Sequence, residues 1–477
     1  MADSPLGQLV SLLGIVVTVG IAVLLSRDRR KIRWQIIASG LGLQFLFALI
    51  VLKTAPGQIF FSIINTFVVK LLDFTTKGSS FLFGGLVTDT KSFGFIFAFQ
   101  VLPTIIFFSS FMNILYYLGI MQKIVQLVAK GIIKIMGTSG AETLCGSANI
   151  FVGQTEAPLF IRPYLESMTK SELLAVMTGG FATIAAGVMA AYVGMLNSMF
   201  PDAAGHLLAA SVMSAPAALM MAKIIMPETE QPETMGTVKM DLPKNDANVI
   251  DAAANGASTG LQLALNVGGM LLAFIALIAL LNYCLEWTGN LFGMLFHTTV
   301  TLNFETVFGT LFSPVAWVLG VPWKDCPVVG NLLAKVLVIN EFVAYSDLSA
   351  ILRDNVVNLS PRSVVIATYA LCGFANFSSI AIQIGGIGVL APSRRSDLAR
   401  IGVFALIAGT LANYQTAAIA GLLVPTTTII HPPKADTLNS LKDRGKVVRR
   451  GEFPTRDDAF RRFMGSTPVR ERPCGES

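Results

Sequence analysis

Long runs without charge decide what this chain can fold into. Eight segments, at about 7–26, 34–52, 93–119, 173–199, 207–226, 260–285, 363–390 and 401–425, are apolar and, apart from Lys223, hold no Asp, Glu, Lys or Arg. Roughly 20 consecutive apolar residues cross the hydrocarbon of a bilayer. The expected fold class is an all-α polytopic membrane protein with eight transmembrane helices. Only 13% of the residues are charged, against about 25% in a soluble domain. That deficit excludes an ordinary soluble enzyme.

Charge placement orients the spans. The basic loop R-D-R-R-K-I-R after the first span belongs on the cytoplasmic side. Alternation then puts P-E-T-E-Q-P-E-T-M-G and P-S-R-R-S-D-L-A-R on that side too, and the short loop P-D-A-A-G-H outside. The net charge is +6, and residues 431–477 supply +4 of it, as eleven Lys/Arg less seven Asp/Glu. No basic face interleaved with aromatics points to nucleic acid. The five cysteines show no CxxC and the three histidines no HExxH, so neither a zinc site nor a disulfide framework is expected.

Two segments read as interfacial helices. In residues 122–137, Lys123, Lys130 and Lys134 fall on one helical face, as in a helix lying along the membrane surface. Residues 56–78 read as a second. Five regions follow: 1–92, with spans one and two and an interfacial segment; 93–226, a first repeat; 227–259, an acidic cytoplasmic linker; 260–430, a second repeat; and 431–477, a basic, disordered tail.

The repeats share an order of elements. In each, a span precedes a helix ending at or near a glycine, Gly137 or Gly320. A broken apolar segment carrying Glu156 or Glu341 follows, 19 and 21 residues later. Next comes a span holding G-F-A-T (Gly180–Thr183) or G-F-A-N (Gly373–Asn376), then a last span. Three spans per unit make the repeats inverted, and inverted repeats with interrupted helices point to a secondary-transporter site at the midplane.

The broken segments are too polar to face lipid. Non-helical backbone at membrane depth is tolerated only where protein or a wet cavity surrounds it, so residues 138–167 read as a re-entrant hairpin. Its tip is V-G-Q-T-E-A-P, where Gly153 allows close approach and Pro158 starts a new helix. N-E-F-V-A-Y-S-D (Asn340–Asp347) is the counterpart. An intramembrane carboxylate is costly and functional by default, which singles out Glu156 and Glu341. Other positions have two readings. Gly179 and Gly180 serve helix packing or mark unwinding that frees carbonyls for a hard monovalent cation. Thr183 bonds to its own helix or offers a cation ligand. Asn376 and Ser379 join helices or bind a ligand. Glu142 and Asp347 sit near helix ends.

The stretches S-A-N-I-F-V-G-Q-T-E-A-P-L, N-E-F-V-A-Y and G-F-A-N-F-S-S-I-A-I-Q-I-G-G-I-G resemble those of the concentrative nucleoside transporters, over about residues 93–425. The short N-terminal region is similar to the bacterial branch. The resemblance implies a homotrimer that carries nucleosides into the cell with Na⁺ by an elevator-type alternating-access mechanism, in the plasma membrane (the inner membrane in a Gram-negative bacterium). It implies that Gly153, Gln154, Thr155, Glu156 and Val188 meet the nucleobase. Glu341, Asn376 and Ser379 would hold the ribose, with Phe374 beside it. Na⁺ would sit on the Asn149 and Thr183 side chains and the Val152 and Ile184 carbonyls. Some relatives carry Ser where Thr183 stands, which keeps the oxygen. No catalytic residue and no other cofactor is implied.

Three other readings stand beside this one. The first is an H⁺-coupled nucleoside symporter, with Glu156 or Glu341 carrying the proton. The second is an intramembrane hydrolase, for which neither GxSxG nor HExxH is present. The third is a passive channel.

Overall fold

The computed structural model describes residues 5–236, 246–296, 302–354 and 358–423. The tail expected at 431–477 lies outside them. The described residues are helical, with no strand. Three helices open the chain: α1 (Pro5–Leu24), α2 (Trp34–Lys53) and α3 (Ala55–Phe83). After short helical turns come α4 (Leu102–Tyr117) and α5 (Ile120–Met136). The first half continues with α6 (Gly140–Ala148), a 3₁₀ helix at Ala157–Tyr164, α7 (Lys170–Ala182), α8 (Ala186–Leu196) and α9 (Ala203–Ile225). The second holds α10 (Val249–Phe296), α11 (Phe304–Val318), α12 (Cys326–Val338), α13 (Glu341–Asp354), α14 (Pro361–Ala370), α15 (Phe377–Leu390) and α16 (Arg395–Leu423).

Among the described residues, eight helical stretches are long and apolar enough to cross a membrane, the number read from the sequence, but two memberships change. Residues 56–78, expected at the interface, belong to α3, whose 29 residues span about 44 Å at 1.5 Å per residue. Its charges, Lys70, Asp73 and Lys77, all lie in the second half of α3 and leave an apolar first half. Conversely, 363–390, expected as one span, is two short helices parted at Leu371–Asn376. The break has a local cause. Asn376 N-caps α15, its side chain accepting from the Ser379 amide, and Gly373 presses against Phe181 O and the Asn413 side chain where no Cβ fits. The linker expected over 227–259 ends earlier, since α10 starts at Val249.

Burial sorts the helices. The stretch α7–α8 and α9 are almost wholly buried, whereas α10 is largely exposed and shows Leu265, Leu272 and Trp287 outward. The outer pair α4 and α10 packs closely because Gly256 and Gly260 set α10 against the α4 backbone, where a Cβ would lie 2.7 Å from Ser109 O and 2.8 Å from Ile106 Cα. Small residues permit such contact. Ser110 Oγ and Asn113 Nδ2 donate to Ala253 O and Ala252 O (2.8 Å each). Helix α5 is amphipathic as expected. Met121, Val125, Ala129, Ile132 and Met136 are buried, while Lys123, Lys130 and Lys134 are exposed or half-exposed.

The glycines that ended helices in the sequence are true stops. Gly137 (φ 66°) and Gly320 (φ 100°) are left-handed, a conformation open to Gly at no steric cost. The loops expected on one side of the membrane meet at one end of the bundle. Arg27 N donates to Ile225 O (2.9 Å), joining the basic loop to the end of α9. Lys170 pairs with Asp397 (3.4 Å), and Arg394 donates to Glu166 O. At that end Ser139 and Thr169 form capping boxes with Glu142 and Glu172. Buried Lys223 pairs with Glu142 (2.7 Å) and Glu228 (3.0 Å).

Removing one partner of a buried pair strands the other charge. Lys223→Met should destabilise the protein by about 3–5 kcal/mol, read as a lowered unfolding temperature in detergent. Lys223→Met with Glu142→Gln, which keeps the α6 cap, should recover much of the loss. A single variant as stable as the parent would show that the pair is not a strut.

Candidate functional site

The tip of the first broken segment is Asn149–Glu156, between α6 and the 3₁₀ helix that Pro158 opens. Helix α7 stops at Thr183, which is extended (φ −127°, ψ 169°), and α8 resumes at Ala186. The two interruptions meet: Ala186 N donates to Phe151 O at 3.0 Å. The second half repeats the device. Helices α12 and α13 are parted at Ile339–Asn340, where Asn340 Oδ1 accepts from Val343 N (3.0 Å), and α14 and α15 at Leu371–Asn376.

A chain of side-chain hydrogen bonds joins the halves. Glu341 is buried at the start of α13 and accepts from Asn376 Nδ2 (3.0 Å) and Tyr192 OH (3.3 Å). Asn376 Oδ1 accepts from Ser379 N (2.9 Å) and from Ser378 Oγ (2.7 Å). Ser379 Oγ in turn accepts from Gln154 Nε2 at the first tip (3.2 Å). Gln154 Oε1 takes a bond from Gln383 Nε2 (2.9 Å), which also reaches Met177 O (3.1 Å). Gly180 lets this chain pass, since a Cβ there would lie 2.7 Å from Gln383 Nε2 and 2.9 Å from Gln154 Cβ. Such a network can exchange partners with a ligand rich in hydroxyl and amide groups.

The other expected residues group around it. The Thr155 methyl packs on Gly386. Val188 is buried on α8, and Phe374 is half-buried at the α14–α15 break, against the core. Glu156 stands apart. Its carboxylate curls over Gly153, is exposed, and lines a cavity of about 310 Å³ with Gly153, Val152 and Ala185. Glu341, Asn376 and Ser379 do not line that cavity. The two carboxylates paired in the sequence therefore face different surroundings.

Around the expected cation ligands, the Asn149 Oδ1 acceptor is buried with no hydrogen-bond partner, while its Nδ2 lies near Cys145 Sγ (3.8 Å) and over Gly179. Thr183 Oγ1 donates to Gly179 O in its own helix (2.8 Å), which leaves its lone pairs free to accept. Val152 and Ile184 occupy the facing tip and break. Tyr192 and Gln383 were missed as site residues. Tyr192 lies four residues after Val188 and Gln383 four after Ser379, so each shares a helical face with a named residue.

Comparison with known proteins identifies the lineage. The Na⁺-dependent nucleoside transporter models match at residues 206–421 for the C-terminal part and 13–86 for the N-terminal part, and a nucleoside-recognition gate model matches at 98–199. The chain belongs to the Na⁺-dependent, concentrative nucleoside transporter family. It is 46% identical to an uncharacterized transporter of Haemophilus influenzae, over 87% of this chain and 97% of that one. It is 43% identical to human solute carrier family 28 member 3, over 88% of this chain and 60% of that one. CNTnw in an inward-facing, substrate-bound state aligns at TM-score 0.81 and 44% identity, covering 87% of this chain and 99% of that one. A doubly substituted CNTnw in an outward-facing state aligns at TM-score 0.81 and 44% identity, over 87% and 97%. This family member is thus a multi-pass plasma-membrane transporter and not an enzyme, and its fold is one that alternates access.

Gln383 is the hub that holds Gln154 in place. Gln383→Leu should weaken nucleoside affinity about tenfold, on the order of 1–2 kcal/mol, by calorimetry in saturating Na⁺. Gly180→Ala should do so more strongly, since its methyl displaces both glutamines. Parental affinity in both variants would remove the chain from the binding site.

Proposed function

We propose that this protein is a secondary active symporter that uses the Na⁺ gradient to drive nucleosides into the cell. The observation that carries the reading is the hydrogen-bond chain from Glu341 to Gln154, which ties both interrupted halves into one polar site. Glu341, Asn376 and Ser379 hold the ribose hydroxyls, because a carboxylate and an amide oxygen accept them well. Phe374 packs beside the sugar. Gly153, Gln154, Thr155, Glu156 and Val188 meet the base. Asn149 and Thr183 side chains, with the Val152 and Ile184 carbonyls, hold Na⁺ through neutral oxygens, and the unpaired Asn149 Oδ1 supports that set. The broken segments act as re-entrant hairpins, the interrupted inner helices move as an elevator past the α4–α10 wall, and three copies assemble as a homotrimer.

Coupling follows from the shared tip. Na⁺ bound at Asn149 and Thr183 stiffens the loop that presents Gln154, so ion and nucleoside raise each other's affinity by the same factor. One charge moving through 100 mV supplies about 2.3 kcal/mol, or roughly fiftyfold accumulation.

One observation favours H⁺ coupling. Asn376 and Tyr192, which donate to buried Glu341, are both neutral, and no cation among the described residues pairs with this carboxylate.

Uptake of labelled uridine and adenosine into proteoliposomes separates the readings. An inward Na⁺ gradient should drive accumulation above equilibrium, choline should not, and Glu341→Gln should abolish it. Asn149→Ala should raise the half-saturating Na⁺ concentration about tenfold, the loss of one ligand worth on the order of 1.4 kcal/mol. Accumulation driven by a pH gradient alone would replace Na⁺ with H⁺, and no nucleoside uptake under any gradient would overturn the substrate.

A further inference from the structure

Two helix pairs touch backbone to backbone at glycines, and a small polar joint lies between them. The first pair is the α4–α10 wall. The second is α11 with α12. A Cβ on Gly309 would lie 2.7 Å from Pro327 O, and one on Gly330 would lie 2.8 Å from Gly309 O and 2.9 Å from Ser313 N. Asn282, half-buried on α10, reaches from the first pair to the second. Its Oδ1 accepts from Phe304 N (2.7 Å) and its Nδ2 donates to Glu305 Oε2 (3.3 Å). Glu305 Oε1 pairs in turn with Lys335 on α12 (3.2 Å). Lys335 is buried, lies over the Phe304 ring, and pairs also with Asp347 on α13. Its carbonyl accepts from Ile339 N (2.9 Å), and Asp347 is two turns or less beyond Glu341. The Lys335–Asp347 pair therefore ties the two legs of the second broken segment just behind its tip.

We propose that Asn282, Glu305 and Lys335 form a latch that fastens the second tip, and Glu341 with it, to the α10 wall in this state, and that opens when the inner helices travel. It rests on the elevator reading above and names the contact that must part. The charges are arranged for release. A buried lysine stripped of its partner would be costly, but Asp347 stays with Lys335, since both belong to the same broken segment. Glu305 is half-exposed and can turn to water. Asn282 is neutral, so its two bonds exchange for other partners at small net cost. The glycine contacts on either side offer no such exchange. Separating α11 from α12, or α4 from α10, would open a close-packed backbone seam that small residues built. Sliding of one packed pair past the other is a known form of conformational change, and here the joint that gives way is the polar one.

The test uses the whole transporter in proteoliposomes, with its native cysteines replaced by alanine. In Asn282→Cys with Glu305→Cys, Hg²⁺ bridges the two positions and a thiol reopens them, with bridging scored by loss of maleimide labelling. The bridge should abolish Na⁺-driven uridine uptake, the thiol should restore it, and the bridged protein should still bind uridine in detergent. A second pair, Ser109→Cys with Gly187→Cys, spans α4 and α8, where a Cβ on Gly187 would lie 3.6 Å from Ser109 Oγ. Its bridge tests the elevator reading without the latch. Arrest by both bridges is the expected result. Arrest by the second pair with undiminished uptake in the first overturns the latch and leaves the elevator standing. Undiminished uptake with both bridged removes the elevator reading and the latch with it. Asn282→His keeps Glu305 on Lys335 and offers a Zn²⁺ bridge where the first cysteine pair yields no folded protein. Arrest reversed by a chelator is then expected, and uptake indifferent to the bound Zn²⁺ overturns the latch.

Discussion

An interrupted helix inside hydrocarbon must find hydrogen-bond partners within the protein, because lipid offers none. This chain interrupts its inner helices at Thr183–Ala185 and Leu371–Asn376, and opens its broken segments at Asn149–Glu156 and Ile339–Asn340. These places cannot be scattered. They converge, so that Phe151 O meets Ala186 N and Asn376 serves both the α15 N-terminus and Glu341. The rest of the architecture follows. The interrupted α7–α8 and the α14 side of the second break are sealed inside with α9, while the uninterrupted α10 turns its leucines outward.

The same necessity creates a binding site. Groups that satisfy one another across a break are already desolvated and oriented, so a ligand bringing hydroxyls and amides replaces protein partners at little extra desolvation cost. The Glu341–Asn376–Ser379–Gln154–Gln383 chain is of this kind. Gln154 belongs to the first half of the chain and the other four to the second, so neither half completes this chain of bonds alone. The ion-paired end of the bundle, with Lys223 between Glu142 and Glu228, uses charge for a different purpose. Its carboxylates also cap α6 or reach neighbouring helix starts, which holds the base of the first broken segment against α9.

Much of this was legible before any coordinates. Uncharged runs declared the membrane, Gly137 and Gly320 marked helix ends, and the matched positions of Glu156 and Glu341 marked two broken segments. The misreadings have physical reasons. Residues 56–78 read as an interfacial helix, but side-chain charges near one end of a 29-residue helix do not prevent its apolar half from spanning. In 363–390 hydropathy drew one span because it counts side chains, whereas the break at its G-F-A-N centre is set by backbone: the Asn376 cap and the crowding at Gly373.

The sequence by itself determined the helical, membrane-embedded class and the residues that no lipid-facing helix would tolerate. These are consequences of local composition and period, which need no partner to be read. Only the tertiary structure decided how those residues divide. It placed Gln154 with Ser379 and Gln383, more than 220 positions away, and set Tyr192 on Glu341. It turned Glu156 instead toward a cavity walled by Tyr116 and Gln122. Those outcomes depend on which broken ends pack face to face, and that is fixed by long-range helix packing rather than by any property of the neighbouring residues.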